Sequence, residues 1–428
     1  MPRIVILGAG FGGVQAAVEL DRQLGRDAAA EVLLIGQDNH FLFTPLLPQI
    51  PSSYTNPRHI VQPVRDVRGR RRFRFRRDTV LAIHPAERRV ECAGGAVAYD
   101  ALVVALGSRA DYFGVPGARE HTFDFKTLEH AVELREHVID LCEHADHSAD
   151  AAERRRLLTF VVVGGGYTGV ELIAELQDFL FGYVVRSYRG IPRDAIRLYL
   201  LEATDRILRG LDSSLARHAR RRLDAEGIEV RTGAQVTRCT AGGVEINGAE
   251  FLDSETVVWS AGVRAHELVE ALPGPHDRRG RAVVNEFLQL EGHPEVFVVG
   301  DSAAAASAPD APQVAPVAME QGRLAARNIA AQSAGRPLEP YRYQAQGMLV
   351  SLGMNHAVVS VAGLKFRGYL AWLFWNAVHL LKLVGLKRQL QVALDWSLAT
   401  VFPRDSTLVR RPRGCKYCEG RSGRAAGA

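Results

Sequence analysis

Twice in this chain an apolar, β-branched run breaks on three glycines and resumes as a helix pattern. The first instance, "RIVILGAGFGGVQAAVEL", carries Gly8, Gly10 and Gly13; the second, "LTFVVVGGGYTGVELIAEL", carries Gly164, Gly166 and Gly169. Both fit G-x-G-x-x-G set between a buried strand and a helix. The first glycine permits the tight turn, the second lets a pyrophosphate approach the backbone, and the third lets helix and strand pack closely. The helix N-terminus then turns its unpaired N–H groups toward the phosphates. One such triplet out of context is a weak signal. Two, each in its strand–turn–helix setting, imply an α/β chain with two Rossmann-like dinucleotide-binding domains.

A carboxylate at the end of the second strand of such a domain accepts hydrogen bonds from the adenine ribose and repels a 2′-phosphate. In the second site "IRLYLLEA" supplies Glu202, which favours NADH over NADPH, although Arg206 lies close by. In the first site "EVLLIGQDNH" places Gly36 where the acid would sit, with Asp38 two residues late. Either Asp38 takes the ribose or backbone and water hold it. Two dinucleotide sites imply electron transfer between two dinucleotides, one of them commonly a flavin. "YDALVVALGS" runs into Gly107, suited to close backbone approach. "HPEVFVVGDSAAA" ends in Gly300 and Asp301, a carboxylate that can accept from ribityl hydroxyls. The plainer reading of both is a buried strand with turn residues.

The chain has 428 residues, more than one core accommodates, with 47% hydrophobic and 24% charged residues, as in ordinary globular proteins. A net charge of +5 is mild and does not by itself indicate nucleic acid. Five cysteines, mostly far apart, make no disulfide framework and fit a reducing cytoplasm. The start "MPRIVILGAGFGG" imitates a signal peptide but reads better as a first strand entering its glycine turn.

With these residues in view, the sequence resembles the type II NADH dehydrogenases (non-pumping NADH:quinone oxidoreductases) of the FAD/NAD(P)-dependent pyridine nucleotide-disulfide oxidoreductase superfamily. The resemblance runs through "GAGFGG", "FLFTPLLPQI", "YDALVVALGS", "VVVGGGYTGVELIAEL", "VVWSAGVRA", "GHPEVFVVGD" and "APVAMEQGRLAARNI" to the apolar carboxyl end. It implies FAD in an interrupted first domain, held by Gly8, Gly10, Gly13, Asp38, Ala105, Gly107, Gly300, Asp301 and Ala318. It implies NADH in an inserted domain, a quinone near the flavin, a membrane-associated tail and a glutamate, here Glu171, near both rings. Glu171 can instead simply stabilise the start of its helix. Disulfide reductases share the fold but use a cysteine pair beside the flavin, and "FLFTPLLPQI" has none. Sulfide:quinone reductases use cysteines that Cys92, Cys142 and Cys239 do not match in motif.

One departure matters. Where the family commonly has A-Q-x-A-x-Q, this chain has Ala315 to Glu320 with Pro316 and Glu320 at the glutamine positions, and Gln321 following. Glu320 becomes a candidate proton relay, or a solvated helix residue, and the identity of the acceptor is less certain than the flavin or NADH. The menaquinone or ubiquinone type is left open, as is a non-quinone acceptor or a slow NADH-sensing module.

Three further features have plain readings. "DVRGRRRFRFRRD" alternates Phe73 and Phe75 with arginines as a half-exposed strand does, rather than as a nucleic-acid or lipid surface. Cys142, His144 and His147 end a polar helix, and no metal is expected. Cys415 and Cys418 form half a zinc motif in a basic tail.

From Tyr369 to Leu386 an apolar run of about 18 residues just reaches bilayer-spanning length. Asn376, His379 and Lys382 recur every third residue, so spanning would bury three polar groups in lipid. Lying on the surface keeps that face wet while Leu370, Leu373, Phe374, Leu381 and Val384 sink, with Trp372, Trp375 and Trp396 at the headgroups. "QLQVALDWSLATVF" repeats the design with Leu390, Leu394, Leu398 and Val401. The alternative is packing within the protein or against a second copy in a homodimer. The expected layout is a flavin part at 1–112, a connection at 113–156 and the NADH domain at 157–282. The flavin part resumes at 283–332, followed by membrane-surface helices at 333–402 and a disordered basic tail at 403–428. A peripheral enzyme on the cytoplasmic face of the membrane is the expectation.

Overall fold

In the computed structural model, which describes residues 2–24, 30–69, 71–345 and 347–408, the chain forms an α/β fold. It divides into two compact units. One takes Met1–Leu42, Val61–Arg109 and Val263–Gln346; the other takes Phe43–Ile60, Ala110–Gly262 and Gly347–Ala428.

The first unit is built on a sheet in which Arg3–Leu7 pairs in parallel with Glu31–Gly36 on one side and Ala101–Val104 on the other. Arg74–Arg77 and His293–Val298 extend it in parallel at the two flanks. Val5, Ile6 and Leu7 are fully buried, which is why this strand reads as an unbroken apolar run. Helix Phe11–Leu24 packs against helix Ala315–Ser333 where Gly12 meets Gly322; a Cβ on Gly322 would lie 2.2 Å from the Gly12 carbonyl. The arginine-rich segment forms the strand Arg74–Arg77, with Phe73 buried beside it and Phe75 half-buried under the Arg65 guanidinium.

The second unit holds a five-stranded parallel sheet in the order Phe123–Asp124, Thr256–Trp259, Thr159–Val163, Arg197–Glu202, Ile228–Thr232. An antiparallel sheet of Met348–Ser351, Ala357–Val361 and Leu364–Gly368 follows, then helices Tyr369–Lys382 and Leu386–Val401. Contacts group residues 43–60 with this unit rather than with the flavin part, because Trp396 Nε1 donates to Gln49 Oε1 (2.9 Å) and Thr55 Oγ1 (3.1 Å) and Asp395 accepts from the Asn56 N–H. Residues 263–282 group with the first unit, where Arg109 Nε donates to the Ala265 carbonyl and Val283 N to that of Pro275.

No helix among the described residues is long and apolar enough to cross a membrane. The two C-terminal helices leave Leu370 (73% exposed), Leu373, Phe374, Leu381, Leu390, Leu394, Leu398, Val401 and Phe402 in the open. The polar stripe is not all wet, however. Asn376 is buried and His379 turns inward, its ring stacked on Trp375 at 4.0 Å. Trp375 and Trp396 are buried instead of standing at a headgroup level, because each indole N–H is taken by a buried acceptor. The tail also starts later than expected: Arg404 is buried and donates to the Ser52 carbonyl. Cys415 and Cys418 lie outside the described residues.

Candidate functional site

The first glycine loop is fixed by sterics that admit no side chain. Gly8 has φ +99°, and a Cβ there would meet the Ala105 carbonyl at 2.3 Å; at Gly13 it would meet that of Gly8 at 1.9 Å. Gly10 faces open space, the room a pyrophosphate needs. Gly36 is explained too: a Cβ there would sit 2.9 Å from that of Ala9, so no ribose-binding acid fits at this strand end. Asp38 is exposed beyond it.

Gly300 (φ +68°) and Ala318 close on the same loop, since added Cβ atoms would lie 3.1 Å from Ala318 Cβ at Gly300 and 3.3 Å from the Ala318 carbonyl at Gly12. Asp301 accepts from Ser108 Oγ at 2.6 Å, and Gly107 turns with φ +72° into open space. Gly8, Gly10, Gly13, Ala105, Gly300 and Ala318 therefore form one cradle.

The second loop repeats the steric scheme. A Cβ on Gly164 (φ +110°) would meet Ala261 Cα at 2.6 Å, one on Gly169 the Gly164 carbonyl at 2.0 Å, and Gly166 is open. Here the acid is present and held. Glu202 accepts from Gly165 N (2.7 Å), Thr204 N (2.8 Å) and Thr204 Oγ1 (2.6 Å). Arg206 donates to the Arg209 carbonyl at 3.0 Å.

Helix Tyr167–Phe179 springs from this loop and carries Glu171, Glu175 and Asp178 along one face, at spacings of four and three residues. Glu171 Oε1 accepts from Ser351 N (2.9 Å) and Trp375 Nε1 (3.2 Å). Burial outweighs these donors and pushes its carboxyl up to about 8. Glu175, 4% exposed, accepts from Ser52 Oγ at 2.8 Å, and burial pushes it up to about 7 against the pull of Arg404. Asp178 is raised as well, again by burial, although it accepts from Met354 N. On the next layer burial holds the His379 imidazole down to about 4, with Nδ1–H donating to the Trp375 carbonyl at 2.7 Å.

Glu320 lies in the first unit, not with Glu171 in the second. It is half-buried, and burial raises its carboxyl against Arg323 and Arg327. Pro316 occupies the first turn of its helix, where the missing N–H would have had no helical partner. The buried polar side chain of this segment is Gln321, whose Oε1 accepts the Gly300 N–H at 2.7 Å. Reading by motif missed Gln321, Ser52, Glu175, Ser351, Trp375 and Arg404. Only the Glu171/Glu175/Asp178 spacing was visible in sequence; their partners come from strands and helices distant along the chain.

A family model described as pyridine nucleotide-disulphide oxidoreductase matches residues 2–322, and one described as the NDH2 C-terminal domain matches residues 345–405. The type II NADH:quinone oxidoreductase Ndh of Mycobacterium tuberculosis is 33% identical, covering 95% of this chain and 89% of that protein. The demethylphylloquinone reductase NdbB of Synechocystis is 34% identical, covering 92% of this chain and 95% of its own. The structure of NDH2 from Plasmodium falciparum in complex with NADH superposes with a TM-score of 0.86 at 18% identity, covering 95% of this chain and 99% of that one. With the two cradles in place and relatives matched over nearly the whole length, the chain belongs to the type II NADH:quinone oxidoreductases of the pyridine nucleotide-disulphide oxidoreductase family.

Proposed function

We propose that this protein oxidises NADH through a bound FAD and delivers the two electrons to a quinone at a membrane surface, without pumping protons. The observation that carries this reading is the doubled glycine cradle, each copy sterically closed to side chains except at Gly10 and Gly166. Gly8, Gly10, Gly13, Ala105, Gly107, Gly300, Asp301 and Ala318 would hold FAD, and Gly164, Gly166, Gly169 and Glu202 would hold NADH. FAD supplies the capacity to take a hydride and give up its electron pair to a second substrate.

The chain's own residues bind, orient and move protons. The fixed Glu202 carboxylate orients the adenine ribose and disfavours a 2′-phosphate. Glu171, neutral below a pH of about 8, holds a proton where most glutamates cannot. Glu320, in the first unit, is a second carboxyl whose pKa burial raises, against Arg323 and Arg327. The exposed leucine rows of helices Tyr369–Lys382 and Leu386–Val401 favour docking on a membrane surface. A second copy of the chain covering part of this apolar face is the reading that the same rows favour next.

The test is anaerobic rapid mixing of the lipid-supplemented protein with NADH and then with a menaquinone or ubiquinone analogue. Rapid bleaching and rapid recovery of flavin absorbance is the expected result. Bleaching without recovery would keep the NADH half and redirect the acceptor, with Pro316 and Glu320 as the first suspects. Deleting the residues after Gly368 is expected to release the protein from vesicles; continued sedimentation with lipid would put the anchor elsewhere.

A further inference from the structure

A cavity of about 980 Å³ opens in the second unit between residues 53–58, the start of helix Leu128–His147 and the end of helix Leu386–Val401. None of the residues assigned above to FAD or NADH lines it. Two of its apolar lining side chains, Leu398 and Phe402, also belong to the exposed apolar row of the C-terminal helices. The cavity is therefore continuous with the face that favours a membrane surface. Its volume lies at the upper end of the about 300–1,000 Å³ that ligand sites occupy, room for a polar head and the start of an apolar chain.

Most charges on the lining are already answered. Arg135 donates to Glu136 at 2.7 Å, and Asp395 accepts from the Asn56 N–H and lies 2.6 Å from His59 Nδ1. Arg404 donates to the Ser52 carbonyl at 3.2 Å, with its guanidinium 5.0 Å from the Tyr54 ring centre. Three lining charges are not answered. Arg58, Glu129 and Glu133 are exposed and enter no ion pair among the described residues. Glu129 and Glu133 stand at i and i+4 on one helix face, where like charges about 6 Å apart destabilise the helix. Tyr54 also lines the cavity, 3% exposed, and its hydroxyl has no hydrogen-bond partner among the described residues. Burial keeps that hydroxyl protonated, a donor whose unmade bond costs free energy until an acceptor arrives.

We propose that this cavity binds the headgroup of one zwitterionic phospholipid carrying a primary ammonium, such as phosphatidylethanolamine. The ammonium meets Glu129 and Glu133, the phosphate meets Arg58, an ester carbonyl accepts from Tyr54, and the acyl chains leave along Leu398 and Phe402. The proposal rests on the membrane-surface reading above. The unanswered groups select the class. A primary ammonium brings three N–H donors to two carboxylates, whereas a choline head has the charge without a donor. An anionic phospholipid would satisfy Arg58 but set its charge against Glu129 and Glu133. A quinone offers an acceptor and an apolar tail, but nothing for the three charges.

The experiment measures binding of the full-length enzyme with its FAD to vesicles of phosphatidylcholine, alone or mixed with phosphatidylethanolamine or phosphatidylglycerol. Wild type is expected to bind the ethanolamine mixture about fivefold more tightly than pure choline vesicles, the worth of one good surface ion pair. The double variant Glu129→Gln/Glu133→Gln should lose that preference while holding choline vesicles within about twofold of wild type. It should also bind the glycerol mixture more tightly than wild type, because a repulsion is gone. Arg58→Gln should weaken binding to choline and ethanolamine vesicles alike, since both heads carry the phosphate. Tyr54→Phe, which keeps the ring, should weaken ethanolamine binding by about threefold. Native mass spectrometry of wild type released from the ethanolamine mixture should show a retained ethanolamine lipid, missing from the double variant. Oxidation of NADH by a soluble acceptor, expected to be equal in all four proteins, reports that each is folded. Equal binding of wild type to choline and ethanolamine vesicles, or an undiminished preference in the double variant, overturns the site and leaves the membrane reading standing. Wild type that binds no vesicle of any composition overturns the membrane reading together with the site.

Discussion

The two helices that follow the glycine loops have the same steric origin and opposite electrostatics. Six residues after the third glycine each carries a buried glutamate: Glu19 (8% exposed) in the first unit and Glu175 (4%) in the second. Glu19 accepts from Arg22 (2.6 Å) and Gln23 (2.7 Å), and this pairing holds its carboxyl below the usual range. Glu175 has a serine hydroxyl and a distant guanidinium, and burial drives its carboxyl up to about 7. Where the first helix has Arg22, the second has Asp178; where the first has Gln15, the second has Glu171. The same backbone element thus closes a structural ion pair in one unit and stacks proton-holding acids in the other. A shared loop motif fixes where a dinucleotide sits but leaves the chemistry beside it to the next two helical turns.

The largest effects should come from the part the two regions share. Alanine at Gly13 or Gly169 puts a Cβ 1.9 Å or 2.0 Å from a backbone carbonyl, which nothing but movement of the loop relieves. Gly13→Ala is expected to purify without bound FAD. Gly169→Ala should keep its FAD but lose about 100-fold in kcat/KM for NADH, equivalent to about 2.7 kcal/mol. Absorbance spectra and single-turnover reduction read both; loss of FAD from the second variant would mean the loops do not bind separate dinucleotides.

Next comes the difference at Glu171. Glu171→Gln should lower kcat about 100-fold, the usual worth of a positioned proton donor. Wild-type activity that uses the neutral carboxyl should fall as pH rises through about 8, and the variant's profile should be flat there. Gln15→Ala, at the matching place in the first helix, should leave that pH profile in place. A steady-state profile of the three proteins decides it.

How far these features could be read in advance depends on their range along the chain. The glycine loops were legible because a tight turn against a strand is a local steric problem with one residue solution. Glu202 was legible for the same reason, ending a strand at a fixed distance from its loop. The absent acid at Gly36 was visible, but its cause, the approach of Ala9, needed the fold. The C-terminal leucine rows were legible as helical periodicity, whereas the inward turn of Asn376 and His379 was not. Their fate depends on Trp375 and on which side of the helix the rest of the unit covers. The Ser52–Glu175–Arg404 cluster joins positions 52, 175 and 404, and no window of sequence contains them together.

The comparison of Glu19 with Glu175 predicts stabilities that move in opposite directions with pH. The folded state raises Glu175 from 4.5 to about 7, so its proton-bound contribution is full below pH 4.5 and is lost as pH rises through about 7. Glu19 is lowered, so its contribution is present above pH 4.5 and is lost as pH falls through its folded value. Glu175→Gln should therefore gain about 2 kcal/mol on wild type between pH 5 and pH 8, while Glu19→Gln should be less stable than wild type at neutral pH. Thermal midpoints at the two pH values test this, and parallel shifts in both variants would erase the distinction.

A smaller effect is expected at the ribose ends. Glu202→Gln keeps an acceptor for Gly165 N and removes the charge that a 2′-phosphate would meet. The ratio of kcat/KM for NADPH over NADH should rise about tenfold, or about 1.4 kcal/mol. An unchanged ratio would transfer the discrimination to Arg206 and its neighbours.

The smallest effect should be at Asp38, and it sharpens the comparison most. If the first loop had an acid acting as Glu202 does, Asp38 would be held by hydrogen bonds from the loop; it is exposed, beyond a glycine that admits no side chain. Asp38→Asn should change FAD affinity less than about twofold, within the range of an exposed polar substitution. A loss of tenfold or more would mean that the carboxylate reaches the ribose from two residues further along. The two loops would then differ in register rather than in kind.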